Sequence, residues 1–312
     1  MVKVDVVIPM YHSNNRMIHM LELLEGQSVC PNKVILMNTD KSHYEKDDRF
    51  KDVIGRYNAT GKMQVEVYHV TPEEFDHGKT RDEGIRHAGD EYVLLMTDDA
   101  VPQDDKLVEH MVKAFEDSTI GAVYARQLAN PNSGKLEKLT REFNYPDKSV
   151  KKTIEDVKTL GIKAYFCSNV CAMYRREIYN SLGGFVKKTI FNEDMIFAAK
   201  LMQNGYAVFY EKNAAVYHSH KYSLMKQLRR NFDLGVSQAD HPEVFDNVPS
   251  ESEGKKLVSF VSKRIKRNVF LLFYFYMQCA FKLLGYKLGK KYKKLPQFMI
   301  RKLTMNPNYW KE

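Results

Sequence analysis

Four short apolar runs, Val4 to Ile8, Val34 to Met37, Val65 to Val70 and Tyr92 to Met96, alternate with stretches of helical spacing. No other feature restricts the fold as much, because runs of that length suit buried strands and the intervening periodicity suits amphipathic helices. Met17, Met20, Leu21, Leu23 and Leu24 mark the first helix, Tyr44 to Tyr57 a less regular second, and Gly84, Ile85 and Ala88 a third. Alternation of this kind predicts an α/β fold around a mainly parallel, doubly wound sheet. A sheet covered on both faces needs a large apolar interior, and 312 residues that are 44% hydrophobic can fill one.

The fourth run ends in two carboxylates, Asp98 and Asp99. Ligands of open α/β sheets bind outside the carboxyl ends of the strands, so the pair is placed for chemistry. Hard cations such as Mg²⁺ and Mn²⁺ bridge carboxylates to substrate phosphates, which makes a nucleotide-linked substrate the first idea to test. The same pair is equally ordinary where a strand gives way to a turn. After the first strand stands Pro9-Met-Tyr-His-Ser-Asn-Asn-Arg16, with neither a glycine-rich dinucleotide fingerprint nor a Walker loop. That disfavours a dinucleotide dehydrogenase or a P-loop kinase. The four cysteines form no Cys-x-x-Cys pair and no signal peptide precedes Val4, so a reducing cytoplasm is the expected compartment.

The net charge of +9 is unevenly distributed: from residue 254 onward, 15 Lys and Arg face one acid, which leaves 33 bases and 38 acids before it. Val269 to Phe281 is thirteen residues without a charge, set between Lys263, Arg264, Lys266 and Arg267 and a lysine-rich stretch from Lys282 to Lys294. It is shorter than the about 20 residues a span requires, and fits a helix lying at an anionic membrane surface. The alternative is a helix packed on the main domain or on a second copy in a homo-oligomer. No nucleic-acid-binding motif accompanies the basic stretch. The chain therefore divides into residues 1–245, the α/β domain, and 246–312, a basic, aromatic-rich helical extension.

Val6-Val-Ile-Pro-Met-Tyr11, Phe75-Asp-His-Gly-Lys-Thr-Arg-Asp-Glu-Gly84, Thr97-Asp-Asp99, Asn192-Glu-Asp194 and Tyr217-His-Ser-His-Lys-Tyr222 occur in that order. Together they resemble glycosyltransferase family 2 with the GT-A fold, over roughly the first 240 residues. The Phe75–Gly84 segment and the Thr97-Asp-Asp-Ala100 motif look most like bacterial rhamnosyltransferases of surface polysaccharide synthesis, which use a deoxythymidine-diphosphate sugar. The resemblance implies Mn²⁺ or Mg²⁺ held by Asp99, with His218 as first choice of histidine partner and His220 as second. Thr97 takes the first acidic position of the usual Asp-x-Asp motif, and Asp98 is left to the ribose. Asp194 is implied as the base, with Glu193 bonding the acceptor or the base loop.

Inverting sugar transfer is a single displacement at the anomeric carbon and needs a base for the acceptor hydroxyl and a charge clamp on the leaving diphosphate. Asp194 opens a helix expected to reach Gln203, whose positive end favours an ionised carboxylate, although a helix cap is an equal use for an Asp there. His218 and His220 alternate along an extended segment and face one side, as two neutral imidazole ligands would. The donor is expected to meet Pro9, Met10 and Tyr11. Asn38 or Asp40 would accept from N3 of uracil or thymine, Gly78 would let the backbone approach the ligand, and Arg81 would reach the phosphates or base. Lys221, Tyr222, Arg229 and Arg230 are candidates for diphosphate or an anionic acceptor. Ser168, Asn169 and Arg126, with Gln127, are expected on the acceptor side, beneath a flexible loop from Leu128 to Lys163.

The expected activity is metal-dependent, inverting transfer of L-rhamnose from dTDP-β-L-rhamnose to a hydroxyl of a growing glycan, lipid-linked at the cytoplasmic face of a bacterial membrane. The alternatives are a UDP-hexose or UDP-N-acetylhexosamine donor in the same site, and a non-catalytic glycan- or lipid-binding scaffold.

Overall fold

All four apolar runs become strands, and the first three are followed by helices that bury one face on them. A computed structural model describes residues 2–246, 248 and 251–310; parts of the expected extension, at 247, 249–250 and 311–312, lie outside the described residues. Strand β1 (Val4–Met10) leads to α1 (Asn15–Glu25), β2 (Lys33–Asn38) to α2 (Lys41–Lys46) and α3 (Asp48–Thr60), and β3 (Gln64–His69) to α4 (His77–His87) and β4 (Tyr92–Met96). The helices start where the sequence offers a side-chain acceptor: Asn14, Asp40, Asp47 and Asp76 cap α1 to α4 in turn.

After β4 come β5 (Val101–Pro102), α5 (Leu107–Ala114), β6 (Ile120–Leu128), α6 (Lys135–Asn144), β7 (Val150–Lys152), α7 (Val157–Leu160), β8 (Cys171–Arg175), α8 (Arg176–Ser181), α9 (Glu193–Gln203) and β9 (Ala207–Tyr217). The sheet order is β3-β2-β1-β4-β8-β6-β9-β5, with β7 also on β9. The parallel pairing expected for most of the sheet holds for β3, β2, β1 and β4. Beyond them the sheet is mixed: β8 runs antiparallel to both β4 and β6, β9 is parallel to β6, and β5 and β7 pair antiparallel with β9. One inverted strand restores direction, so the carboxyl ends of β1, β2, β4, β6 and β9 all open on the same edge. The segment entering β8 arrives there too, and Thr97 N–H donates to the Val170 carbonyl across that junction.

Alternate residues divide between two apolar layers. Val4, Val6 and Ile8 pack under α1, α3 and α5, while Val7, Ile35 and Leu95 pack under α4, α8 and α9. The stretch from Leu128 to Lys163 is not the irregular loop expected. It contains α6, whose Leu136 and Leu139 are buried against Val261, Ile265 and Phe275 of the extension.

The α/β domain ends in α10 (Leu224–Asp240) and α11 (Pro242–Phe245), and the extension comprises α12 (Glu251–Ile265), α13 (Val269–Lys290), α14 (Gln297–Leu303) and a 3-10 turn, Pro307–Trp310. Helix α13 is longer than its uncharged core because the helix runs on past Lys282 and Lys287. At 22 residues it is long and apolar enough to cross a membrane by length and composition. One face crosses α10 so closely that a Cβ on Gly285 or Gly289 would strike the Leu228 or Phe232 carbonyl. Its other face leaves Val269, Phe270 and Phe273 exposed by 71%, 90% and 68%.

Candidate active site

The common edge of the sheet brings three of the expected side chains together. Asp99, just past β4, lies 3.5 Å from His218 Nε2 and 3.5 Å from His220 Nε2, both just past β9. One ligand atom from each of the three falls within 4.8 Å of the others. Burial keeps both imidazoles neutral: it lowers His220 and drives His218 down to about 3. His218 Nδ1 sits 3.0 Å from Gln127 Oε1, which also accepts from the Arg141 guanidinium. Arg141 Nη2 also lies 3.2 Å from Nδ1; in the tautomer whose Nδ1–H donates to Gln127, the Nε2 lone pair turns toward Asp99. A lone pair and a carboxylate that face each other gain by sharing a cation, and one carboxylate with two neutral imidazoles is a donor set suited to Mn²⁺.

Gln127 also reaches the next element. Its Nε2 donates to Ser168 Oγ at 2.9 Å, and the following residue, Asn169, donates its backbone N–H to Asp194 Oδ2 at 3.1 Å. The chain turns into α9 through Asn192, which has φ 65° and is the one positive-φ residue other than glycine among the described residues. That left-handed residue aims the first turn of α9, Glu193 and Asp194, at the sheet edge. The two carboxylates then part company. Glu193 is buried, 3.2 Å from Arg81 Nη1, and accepts from Asn169 Nδ2 at 3.2 Å. Burial is the largest single effect and opposes its charge, but the Arg81 guanidinium, His77 and the Asn169 amide together outweigh it and hold its carboxyl below the usual range. Among the described residues, Asp194 accepts only from backbone N–H groups, those of Asn169 and Met195. Burial, reinforced by the Glu193 charge, raises its carboxyl to about 7.

The loop bearing Ser168 and Asn169 is fixed from behind. Lys152 is buried, donates to the carbonyls of Lys163 and Phe166, and lies 4.7 Å from the Tyr124 ring centroid. Desolvation lowers its ammonium to about 7. Tyr174 OH donates to Asn169 Oδ1 at 2.7 Å and locks that amide in place.

Beside the metal-type cluster, Pro9, Met10, Tyr11, Thr39, Phe75 and Asp98 line a cleft of about 350 Å³. Asp98 faces Arg16, 3.7 Å away, and burial raises its carboxyl despite that charge. Pro9, Tyr11 and Asp98 thus share one cleft, but several of the residues expected beside them do not reach it. Asn38 is fully buried, its amide donating to the Asp40 carbonyl and paired with His69, so Thr39 reaches the cleft instead. Asp40 caps α2 and pairs with His12 at 2.9 Å. Gly78 gives close approach to the Val186 carbonyl and to Glu193, not to a ligand. Arg81 is turned inward onto Glu193 and the His77 carbonyl. Arg126 pairs with Asp147 at 3.0 Å, because consecutive strand residues face opposite ways and Gln127 takes the site face.

On the acceptor side, Asn169 is buried and consumed by the network, while Ser168 is half-buried. Arg141 was missed because its segment looked like a loop. Leu136 and Leu139, three apart and next to Thr140 and Arg141, are the amphipathic signal that marks α6.

Residues 5–183 match the profile described as Glycosyl transferase family 2. The chain is 32% identical over 311 residues to the O-antigen chain rhamnosyltransferase RfbN of Salmonella typhimurium, covering 99% of this chain and 96% of that one. It is also 32% identical over 309 residues to the O-antigen chain rhamnosyltransferase WbaN of Salmonella anatum, covering 98% and 95%. Among solved structures, it is similar to a mannosyltransferase from Pyrobaculum calidifontis in complex with GDP-Man and Mn²⁺, with TM-score 0.62, 14% identity and 94% and 88% coverage. A second is TarS of S. aureus, residues 1–349, in complex with UDP-GlcNAc, with TM-score 0.53, 14% identity and 94% and 92% coverage. At such identities the structural likeness speaks for the fold alone.

Proposed function

The chain belongs to glycosyltransferase family 2, and from that membership we propose that this glycosyltransferase moves L-rhamnose from dTDP-β-L-rhamnose to a hydroxyl of a growing surface glycan, inverting the anomeric centre. The near full-length similarity to two O-antigen rhamnosyltransferases supports the sugar. One observation carries the mechanism: hydrogen bonds run from His218 through Gln127 to Ser168, whose neighbour Asn169 holds Asp194. Metal-type ligands and a carboxylate raised to about 7 are thereby built on one framework.

In this reading Asp194 takes the proton from the acceptor hydroxyl. A base that titrates near the operating pH combines availability with proton affinity, and the two backbone donors fix its oxygens without neutralising them. Asp99, His218 and His220 would hold Mn²⁺ or Mg²⁺, which supplies positive charge against the departing diphosphate. Arg230, half-buried over the Phe191 ring at 4.7 Å, forms no ion pair among the described residues and adds a guanidinium for the same anion. Asp98 and Tyr11 bind the nucleoside, and Ser168 borders the acceptor. Glu193, Arg81 and Asn169 position the base.

Residues 246–312 serve as an extension that rests on the anionic cytoplasmic face of the cell membrane, where a lipid-linked acceptor would be met. The exposed apolar face of α13 and its flanking lysines support this. Removing the extension would strip α10 of its cover, so the membrane test uses surface changes. Phe270→Glu with Phe273→Glu should abolish flotation with anionic liposomes, and unchanged flotation would refute the membrane role. For the reaction, purified protein with Mn²⁺ is offered dTDP-rhamnose and UDP-sugars. Turnover of dTDP-rhamnose to an α-linked product is expected; preference for a UDP-sugar, or a retained anomer, would overturn the proposal.

A further inference from the structure

The extension also reaches the donor cleft. Asn308, in the turn Pro307–Trp310, lines the same cavity as Pro9, Met10, Tyr11 and Asp98, although some 200 residues separate it from the nearest of them. This placement is held by the fold at several points. Buried Asp233 of α10 accepts from Thr304 Oγ1 at 2.6 Å and from Met305 N–H at 2.8 Å. Tyr309 and Trp310 pack with Ile190, Phe232, Val236 and Ile300, beside Phe191, the residue before Asn192. The Trp310 and Tyr292 rings meet edge to face at 5.4 Å, and the Lys188 ammonium lies 5.5 Å from the Tyr309 ring centroid. Tyr309 and Trp310 are therefore half-buried against the fold, while Asn308 is left exposed at the cleft.

We propose that the turn Pro307–Trp310 is the outer wall of the nucleotide cleft and that the Asn308 carboxamide hydrogen-bonds the pyrimidine base of the donor. The walls contributed by Pro9, Met10, Tyr11, Pro72 and Phe75 suit a flat ring. Of the other polar residues there, Thr39 offers a single hydroxyl and an ionised Asp98 only acceptors, so neither sets a separate donor and acceptor side by side for the ring's polar edge. A carboxamide offers a donor beside an acceptor, the complement of the alternating carbonyl and N3–H of uracil or thymine. Asn38, the amide expected for that task from the sequence, is sealed within the fold. Asn308 is the one carboxamide lining the cleft among the described residues. The extension thus completes the donor site as well as offering a surface to the membrane.

This inference rests on the cleft being the donor site, and the test separates the two. The full chain is titrated calorimetrically with dTDP and with UDP, alongside Asn308→Ala and Tyr11→Ala, and hydrogen exchange of Thr304–Trp310 is followed with and without dTDP. Loss of a base-edge hydrogen bond should weaken both nucleotides roughly tenfold in Asn308→Ala, and dTDP should slow exchange across the turn. Asn308 is exposed, so the variant keeps its fold. If Tyr11→Ala weakens binding while Asn308→Ala leaves it unchanged, the inference is overturned and the donor cleft stands. If neither variant changes nucleotide affinity, the donor-cleft reading falls with it.

Discussion

Two acidic pairs sit at the same edge of the sheet, Asp98–Asp99 after β4 and Glu193–Asp194 at the start of α9, and each pair is divided by its surroundings. In each, one carboxylate faces an arginine: Asp98 faces Arg16 at 3.7 Å and Glu193 faces Arg81 at 3.2 Å. The other carboxylate is left facing groups that carry no fixed positive charge, two neutral imidazoles for Asp99 and two backbone N–H groups for Asp194. Neighbouring residues of the same chemistry therefore acquire different properties from their partners, not from their identity. The pairs also differ in depth. Arg16 is largely solvated, so that pairing is weak, whereas Arg81 and Glu193 are both buried and depend on each other.

The largest effect should come from Asp194. Asp194→Asn is expected to reduce turnover by about 10³-fold, the size of a general-base contribution. In the parent protein, turnover should fall as pH drops through about 7, because Asp194 then gains a proton. The linkage has a definite sign: a carboxyl raised in the folded state costs stability that appears as pH rises from the ordinary carboxylate range to about 7. Asp194→Asn should therefore melt higher than the parent at pH 8 and no higher at pH 4. A flat pH–rate profile or an unchanged melting difference would break the contrast between Asp194 and Glu193.

Within the other pair, Asp99→Ala should lower turnover by about 10²-fold and abolish Mn²⁺ stimulation, while Asp98→Asn should raise the donor KM and keep the response to Mn²⁺. Equal loss of Mn²⁺ response in both would mean that the carboxylates share the ion. Arg81→Met tests the buried pairing and should destabilise the protein by about 3 kcal/mol in chemical denaturation, since it strands a buried carboxylate. Arg81→Met with Glu193→Leu should recover part of that stability without recovering activity. The smallest effect belongs to Asn192. Its φ of 65° should make Asn192→Val cost about 1–2 kcal/mol, with Asn192→Gly milder, and equal melting temperatures for the two would remove the strain argument.

The fold was largely legible because its signals are local. The apolar runs, the caps at Asn14 and Asp76 and the strand-end position of Asp99 each depend on a few adjacent residues. The site was legible only in part. Asp99, His218 and His220 follow strands and Asp194 opens a helix that the sequence defines, and the fold brings the first three together with the fourth on the same network. Asn38, Gly78, Arg81 and Arg126 were expected to face a ligand, but each has a partner that adjacent residues do not reveal: His69, Val186, Glu193 and Asp147. Gln127 and Arg141 gain their importance from His218, 91 and 77 positions away.

The sequence by itself determined the alternation of strands and helices, the family and the positions of the acidic and histidine motifs, since periodicity and short motifs are properties of neighbouring residues. Only the tertiary structure decided which carboxylate of each pair keeps an unshielded charge and which arginines are consumed as internal partners. It also decided that Asn308 of the extension reaches the cleft lined by Pro9, Tyr11 and Asp98. Those outcomes depend on desolvation and on contacts between distant segments, and neither exists until the chain has folded.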